Sequence, residues 1–375
     1  MIERKISSQI ESALYKGKAI ILLGARRTGK TTLLTEIVKS KRDVLWLNGD
    51  EPDVITLFEN ANSAKLKAAF AQNKVVVIDE AQRIKNVGVK LKLITDQISG
   101  IQLIASGSSA FELANEINEP LTGRKWERML FPFSYEEMKD HHGSLEETRM
   151  LSHRLVYGYY PEVVNGTGNE RNILKQLSDS YLYKDILMWE RIKKPEKLIR
   201  LLQALAFQIG NEVSYHELGQ MIDLDKVTVE KYIQLLERTY IIFRLGSFSR
   251  NLRKELKASR KIYFVDTGIR NAVISNFSQP ELRQDIGFLW ENFLISERMK
   301  YLHNNAIWTN RYFWRTHDQQ EIDYIEERDG RLFAFEFKWN RKVNFRFSRS
   351  FTKGYPDHET KLITPANFEE FICAP

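Results

Sequence analysis

The chain has 375 residues, 43% hydrophobic and 28% charged, with 56 Lys and Arg against 49 Asp and Glu for a formal charge of +7. That length exceeds one ordinary core and predicts two or three domains, and the basic excess suits a polyanionic partner without demanding one. A single cysteine, Cys373, excludes a disulfide framework and points to a reducing compartment. The opening MIERKISSQI lacks the apolar stretch of a secretion signal. No apolar run approaches the roughly twenty residues of a bilayer span. A cytoplasmic protein without a membrane partner is the expectation.

The first predicted strand, 19–23, runs straight into Gly24-Ala25-Arg26-Arg27-Thr28-Gly29-Lys30-Thr31-Thr32, and helix-forming residues follow at once. This is the G-x-x-x-x-G-K-[ST] spacing in the strand–loop–helix context that the chemistry requires. The two glycines let backbone N–H groups turn inward around a polyphosphate, and the helix N-terminus adds its positive end. Lys30 is placed to reach β- and γ-phosphates and Thr31 to hold Mg²⁺. The chain is therefore expected to bind a nucleoside triphosphate, ATP in the first instance.

Further apolar runs at 44–47, 75–78 and 101–105 alternate with helical patterns, which predicts a parallel sheet buried on both faces. The run at 75–78 ends in Asp79-Glu80, at the carboxyl end of its strand, where ligands of open α/β sheets collect. Asp79 suits a Mg²⁺ contact through water, and Glu80 suits polarising the water that attacks the γ-phosphate. After the next strand, Ser106 and Ser108 are γ-phosphate sensors or only turn and cap residues. Arg124 precedes a fifth short strand expected around 129–131. It is either a finger reaching the nucleotide of a neighbouring copy in a homo-oligomer or an exposed surface arginine.

The loop at 24–32, Val-Ile-Asp79-Glu80-Ala-Gln, Ser106-Gly-Ser108-Ser109 and Gly123-Arg124 followed by Phe131-Pro-Phe-Ser-Tyr135 occur in that order. Together they resemble the prokaryotic AAA-type ATPases that carry a C-terminal domain of unknown function. The resemblance continues through Gly158-Tyr-Tyr-Pro161-Glu162 and Tyr181-Leu-Tyr-Lys184-Asp185-Ile186. It implies an ATP-binding P-loop core, a winged-helix segment and a nuclease-like C-terminal domain, with the protein partner undefined.

In the middle, 145–190 reads as helices broken at Gly158 and Pro161, and the charged stretch around Pro195 marks a boundary. Three helices are expected next: 198–209, one opened by the capping box Ser214-Tyr-His-Glu217, and one capped by Asp225 and ending near Arg238. Strands at 240–245 and 261–265 read as a wing. Lys226, Thr228 and Lys231 on the third helix, and Arg250, Arg253, Lys254, Lys257, Arg260 and Lys261 on the wing, suit phosphate contacts with DNA. A protein-docking role for the same module is the alternative.

Near the C-terminus a helix at 285–303 carries Glu291 among Phe288, Leu294 and Ile295, where a carboxylate is costly unless something binds it. Asp329-Gly330 between two alternating runs signals a hairpin. Counting outward from that turn sets Asp323 opposite Glu336 and Glu321 opposite Lys338. Glu336 and Lys338 then share a face with Asp323, while Ile322, Tyr324, Phe333, Phe335, Phe337 and Trp339 form the core face. Opposed carboxylates repel, and a divalent cation between them reverses the penalty. Asp323, Glu336-x-Lys338 and Glu291 resemble the PD-(D/E)xK nuclease site, which implies three metal-binding carboxylates and a water-positioning Lys338. Arg341, Lys342, Arg346, Arg349 and Lys353 either track a phosphate backbone or form a solvated surface.

The expected architecture is α/β throughout. A P-loop parallel-sheet ATPase core occupies 1–140, a helical subdomain 141–194, a winged helix 195–275 and a restriction-endonuclease-like α/β domain 276–375.

Overall fold

The computed structural model describes residues 2–70, 72–107, 117, 120–179, 194–249, 260–316, 318–340 and 345–373. They form two compact units, Met1–Phe133 with Arg238–Tyr240, and Ser134–Glu237 with Ile241–Pro375. Ser108 and Ser109, the 181–186 motif, Arg250, Arg253, Lys254, Lys257, Arg341 and Lys342 lie outside the described residues.

The first unit is a five-stranded sheet of β1 (Ala19–Leu23), β2 (Val44–Asn48), β3 (Val75–Asp79), β4 (Gln102–Gly107) and β5 (Lys125–Met129), ordered β2-β3-β4-β1-β5. Every pairing is parallel. β1, β3 and β4 are buried at every position, which is what an uninterrupted apolar run means when helices cover both faces. Successive residues supply opposite cores. Ile20 and Leu22 pack with Ile6, Ile10, Leu33 and Ile37, whereas Ile21 and Leu23 pack with Phe58, Leu91 and Ile94. The fifth strand ends where it was expected to begin. β5 is an edge strand with no fully buried position, so its charged residues are tolerated and the apolar Leu130 and Phe131 that marked it follow the strand.

The second unit opens with helices at Tyr135–His142, Ser144–Arg149, Leu151–Tyr157, Pro161–Asn165 and Glu170–Leu177. Gly158 breaks this run for two reasons: its φ is +71°, and a Cβ there would lie 2.2 Å from the Asp266 carboxylate. Pro161 and Pro195 open helices rather than interrupt them, as suits a residue with no N–H to leave unpaired.

Next come the helix Pro195–Phe207, β6 (Glu212–Val213), the helices Tyr215–Ile222 and Lys226–Arg238, β7 (Ile242–Ser247) and β8 (Arg260–Phe264). The Ser214 hydroxyl accepts from Glu217 N and the Asp225 carboxylate from Thr228 N, so both residues cap their helices, Ser214 by the first half of the expected capping box. The short strand β6 carries no sequence signal and pairs with β8.

The expected division between wing and C-terminal domain is not a division of the sheet. β7 pairs in parallel with β9 (Asn310–Arg315), and one mixed sheet runs β12-β11-β10-β9-β7-β8-β6, with β10 (Glu321–Arg328), β11 (Arg331–Phe337) and β12 (His358–Ile363). The helix Ile286–Asn304 is buried along most of its length, polar residues included. Those residues have partners: Asn292 bonds both N–H and C=O of Phe264, Arg298 pairs with Glu326 and Lys300 with Glu297, as buried polar groups require. Among the described residues no helix is long and apolar enough to cross a membrane.

Candidate functional site

The phosphate loop leaves β1 at its carboxyl end. Gly24 is there for contact: a Cβ would sit 2.3 Å from Leu130 O. Gly29 is there for its left-handed φ of +92°. The Lys30 ammonium lies inside the loop, donating to Gly24 O and Ala25 O at 3.0 Å each. The Thr28 hydroxyl donates to Ala25 O at 2.9 Å. From outside, Arg4 donates to Thr28 O at 2.9 Å and Phe131 O at 2.6 Å, and its guanidinium stacks 4.7 Å over Phe133. Arg4 is a loop-supporting residue that no sequence motif singled out.

β3 brings its carboxyl end beside the loop. The Thr31 hydroxyl donates to Asp79 Oδ2 at 2.7 Å, while Ser106 and the Glu80 N–H both donate to Asp79 Oδ1. Glu80 has a left-handed φ of +49°, an uncommon conformation for this residue type, and accepts from Gln82 Nε2. Lys30, Thr31, Asp79, Glu80 and Ser106 are thus gathered at one edge of the sheet. Arg124 is not. It precedes β5, whose first residue is level with Ala19 at the start of β1, so it lies at the opposite edge and pairs with Asp96 at 2.6 Å.

The second cluster lies in the mixed sheet. The hairpin register runs as counted from Arg328↔Arg331 to Tyr324↔Phe335. Beyond that point Asp323 accepts the backbone N–H of Phe337 through its side chain, at 2.8 Å. A bulge against β9 between Ile322 and Ile325 is the cause, since an extra residue turns the strand about its axis. Ile322 accordingly leaves the expected face and packs with Ile325, Leu332 and Ala334. Glu321 is level with Arg315 on β9, and position 338 lies one residue beyond β11. Lys338 instead bonds Glu336 at 2.6 Å.

Glu291 is bound, but by a lysine. Lys261 lies 3.1 Å from Glu291 Oε1 and pairs also with Glu321, and Tyr263 donates to the same Glu291 oxygen at 2.5 Å. Glu291 and Glu336 are each 6% exposed and Lys261 1%. Glu291, Asp323 and Glu336, expected to bind a metal, are brought within one another's electrostatic reach. Among the described residues no group of three or more His, Cys, Asp or Glu side chains is placed to hold one. Lys261, read from sequence as a wing contact, was missed here together with Tyr263. The only available signal was a lysine opening the otherwise apolar run Ile262–Val265.

Burial, and then the charges of Glu291 and Glu336, raise the Asp323 carboxyl well above the usual range. Burial raises Glu336 as well, against the pull of Lys338. A carboxyl raised in the folded state contributes stability below its unfolded pKa, and that contribution is lost as pH rises through the folded value. Asp323→Asn removes the loss, so its melting temperature relative to wild type should climb from pH 5 to pH 8. A difference that stays flat across that range would show that Asp323 is not destabilised by ionising.

Residues 16–139 match the family model described as an AAA domain, 148–280 match Domain of unknown function (DUF8612), and 286–369 match Domain of unknown function (DUF4143). The first unit is accordingly an AAA-type ATPase domain, which implies ATP binding and hydrolysis with Mg²⁺ as the usual metal. The chain is homologous to uncharacterized prokaryotic proteins. One from Mycobacterium tuberculosis is 25% identical over 344 residues, covering 90% of this chain and 74% of that protein. One from Methanocaldococcus jannaschii is 24% identical over 344 residues, covering 85% and 74%. The Walker-type ATPase of Pyrococcus abyssi superposes with a TM-score of 0.49 at 16% identity, covering 73% of this chain and 96% of that one, too loosely to carry an argument.

Proposed function

We propose that the protein is an ATP-hydrolysing, DNA-engaging protein in which the nuclease-like C-terminal domain does not cut. The observation that carries the ATPase part is the 2.7 Å bond from Thr31 to Asp79 beside the loop that holds Lys30. These are the hydroxyl and carboxylate that would hold Mg²⁺, which when bound neutralises charge on the phosphates. Lys30 exchanges its two carbonyl partners for phosphate oxygens, the loop N–H groups of residues 25–32 orient the chain of phosphates, and Glu80 holds the attacking water. Ser106 keeps the Asp79 carboxylate in place.

DNA engagement is supported by the order helix, strand, helix, helix, strand, strand from 195 to 264, that of a winged helix, and by exposed Lys226 and Lys231 on its third helix. Thr228 is less suited to reading bases, because its hydroxyl is bonded to Asp225 at 2.6 Å. The cutting alternative would use Glu291, Asp323 and Glu336 on Mg²⁺ with Lys338 beside the water. The lysine between Glu291 and Glu321 favours the non-cutting reading.

The test combines turnover with fluorescence anisotropy on labelled duplex and branched DNA. Glu80→Gln is expected to bind ATP, hydrolyse it slowly and hold one DNA-affinity state. Lys226→Ala with Lys231→Ala should flatten the salt dependence of binding by about one log–log unit per lost phosphate contact. Unchanged affinity and slope would make the module a protein-docking one, and nicking of plasmid in Mn²⁺ would restore the nuclease reading. Arg124 serves Asp96 within its own chain, so Arg124→Ala should leave turnover intact. A loss of about a thousandfold, rescued by mixing with Lys30→Ala, would instead make it a finger acting in a homo-oligomer.

A further inference from the structure

We propose that Lys261 is a tethered cation, standing where a divalent ion would otherwise be held by the carboxylates of the mixed sheet, so that replacing it with a neutral residue creates a metal site. The inference rests on the non-cutting reading and explains it. Lys261 is built in rather than draped over the cluster. It sits in β8 between Glu212 of β6 and Leu245 of β7, and its ammonium is buried against Glu291, Glu321 and the ring of Phe313.

Each carboxylate of the expected metal trio already gives an oxygen to a protein donor. Glu291 Oε1 takes Lys261 and Tyr263, Asp323 Oδ2 takes the Phe337 N–H, and Glu336 Oε1 takes Lys338. Glu336 Oε2 is buried with no hydrogen-bond partner, an acceptor left open. A buried anion needs a cation or a donor; Lys338 serves Glu336, and the cation supplied to Glu291 arrives on a strand outside the hairpin-and-helix trio. Removing that ammonium leaves Glu291 with the Tyr263 hydroxyl and Glu321 with Arg315 at 3.7 Å, while Glu336, whose charge reaches Glu291, keeps an open oxygen. Hard carboxylate oxygens of this kind suit Mg²⁺ or Mn²⁺.

The experiment titrates Mn²⁺ into nucleotide-free, full-length protein, reading free Mn²⁺ by electron paramagnetic resonance and the melting temperature in parallel. Wild type and Glu336→Gln should give the same titration. Lys261→Met should take up an additional Mn²⁺ saturably, with a melting temperature that rises by mass action, and adding Glu336→Gln should abolish that gain. Two results overturn the proposal: Mn²⁺ uptake by wild type that Glu336→Gln removes, or a folded Lys261→Met that gains none. Should Lys261→Met fail to fold by circular dichroism, Lys261→Gln takes its place, and the comparison of wild type with Glu336→Gln decides by itself. Failure of the ATPase and DNA reading would appear in turnover and anisotropy, and this failure in Mn²⁺ uptake.

Discussion

Lys30→Ala is expected to weaken ATP binding by about two orders of magnitude and to bring hydrolysis below detection. The ammonium is buried in a loop whose two carbonyls, Gly24 O and Ala25 O, already converge on it. A polyphosphate offers the same position stronger acceptors, and each charge-assisted bond is worth about 1.5–3 kcal/mol. Loss of two such bonds therefore accounts for a factor of roughly a hundred or more, at about 1.4 kcal/mol per tenfold. Isothermal titration with a non-hydrolysable ATP analogue measures the binding directly. Affinity within threefold of wild type would mean that the loop's backbone N–H groups carry recognition without the lysine.

Asp266→Ala should be the most damaging single change in the second unit, costing about 3–5 kcal/mol. Its carboxylate is buried and accepts Tyr159 N at 2.7 Å and Ile269 N at 3.1 Å, capping the helix Thr267–Val273 while pinning the break at Gly158. Each of the two amides left without an acceptor, the cap's among them, costs about 1–3 kcal/mol. Asp266→Asn should fall in between, since its carbonyl oxygen can still accept one of the two. Urea unfolding followed by tryptophan fluorescence gives the comparison. A midpoint for Asp266→Ala equal to wild type would show that water reaches both amides.

The nucleotide site was legible because it is local. Residues 19 to 39 supply their own strand, turn and helix, and Asp79-Glu80 closes the apolar run at 75–78, so period and spacing place them. The hairpin was legible for the same reason, one turn fixing its register as far as Tyr324. What failed was non-local. The bulge that turns Ile322 and frees Asp323 from the ladder is made against β9, which lacks a turn signal of its own. The approach of Lys261 to Glu321 depends on β7 lying beside β9, a pairing of two residues on each side that nothing in the intervening chain announces. A lysine at the head of a strand looks the same whether it faces solvent or a carboxylate.

That short pairing has a consequence for anyone dividing the chain. Gly246 and Ser247 bond beside Tyr312 and Phe313, whereas the two family models meet between 280 and 286. Expressing either matched region alone would leave β7 or β9 as a raw edge, ready to recruit another chain. Fragments cut there should precipitate, and the intact second unit should lose its seven-stranded sheet in a single melting step. The unit of heredity drawn along the sequence is not the unit of cooperativity.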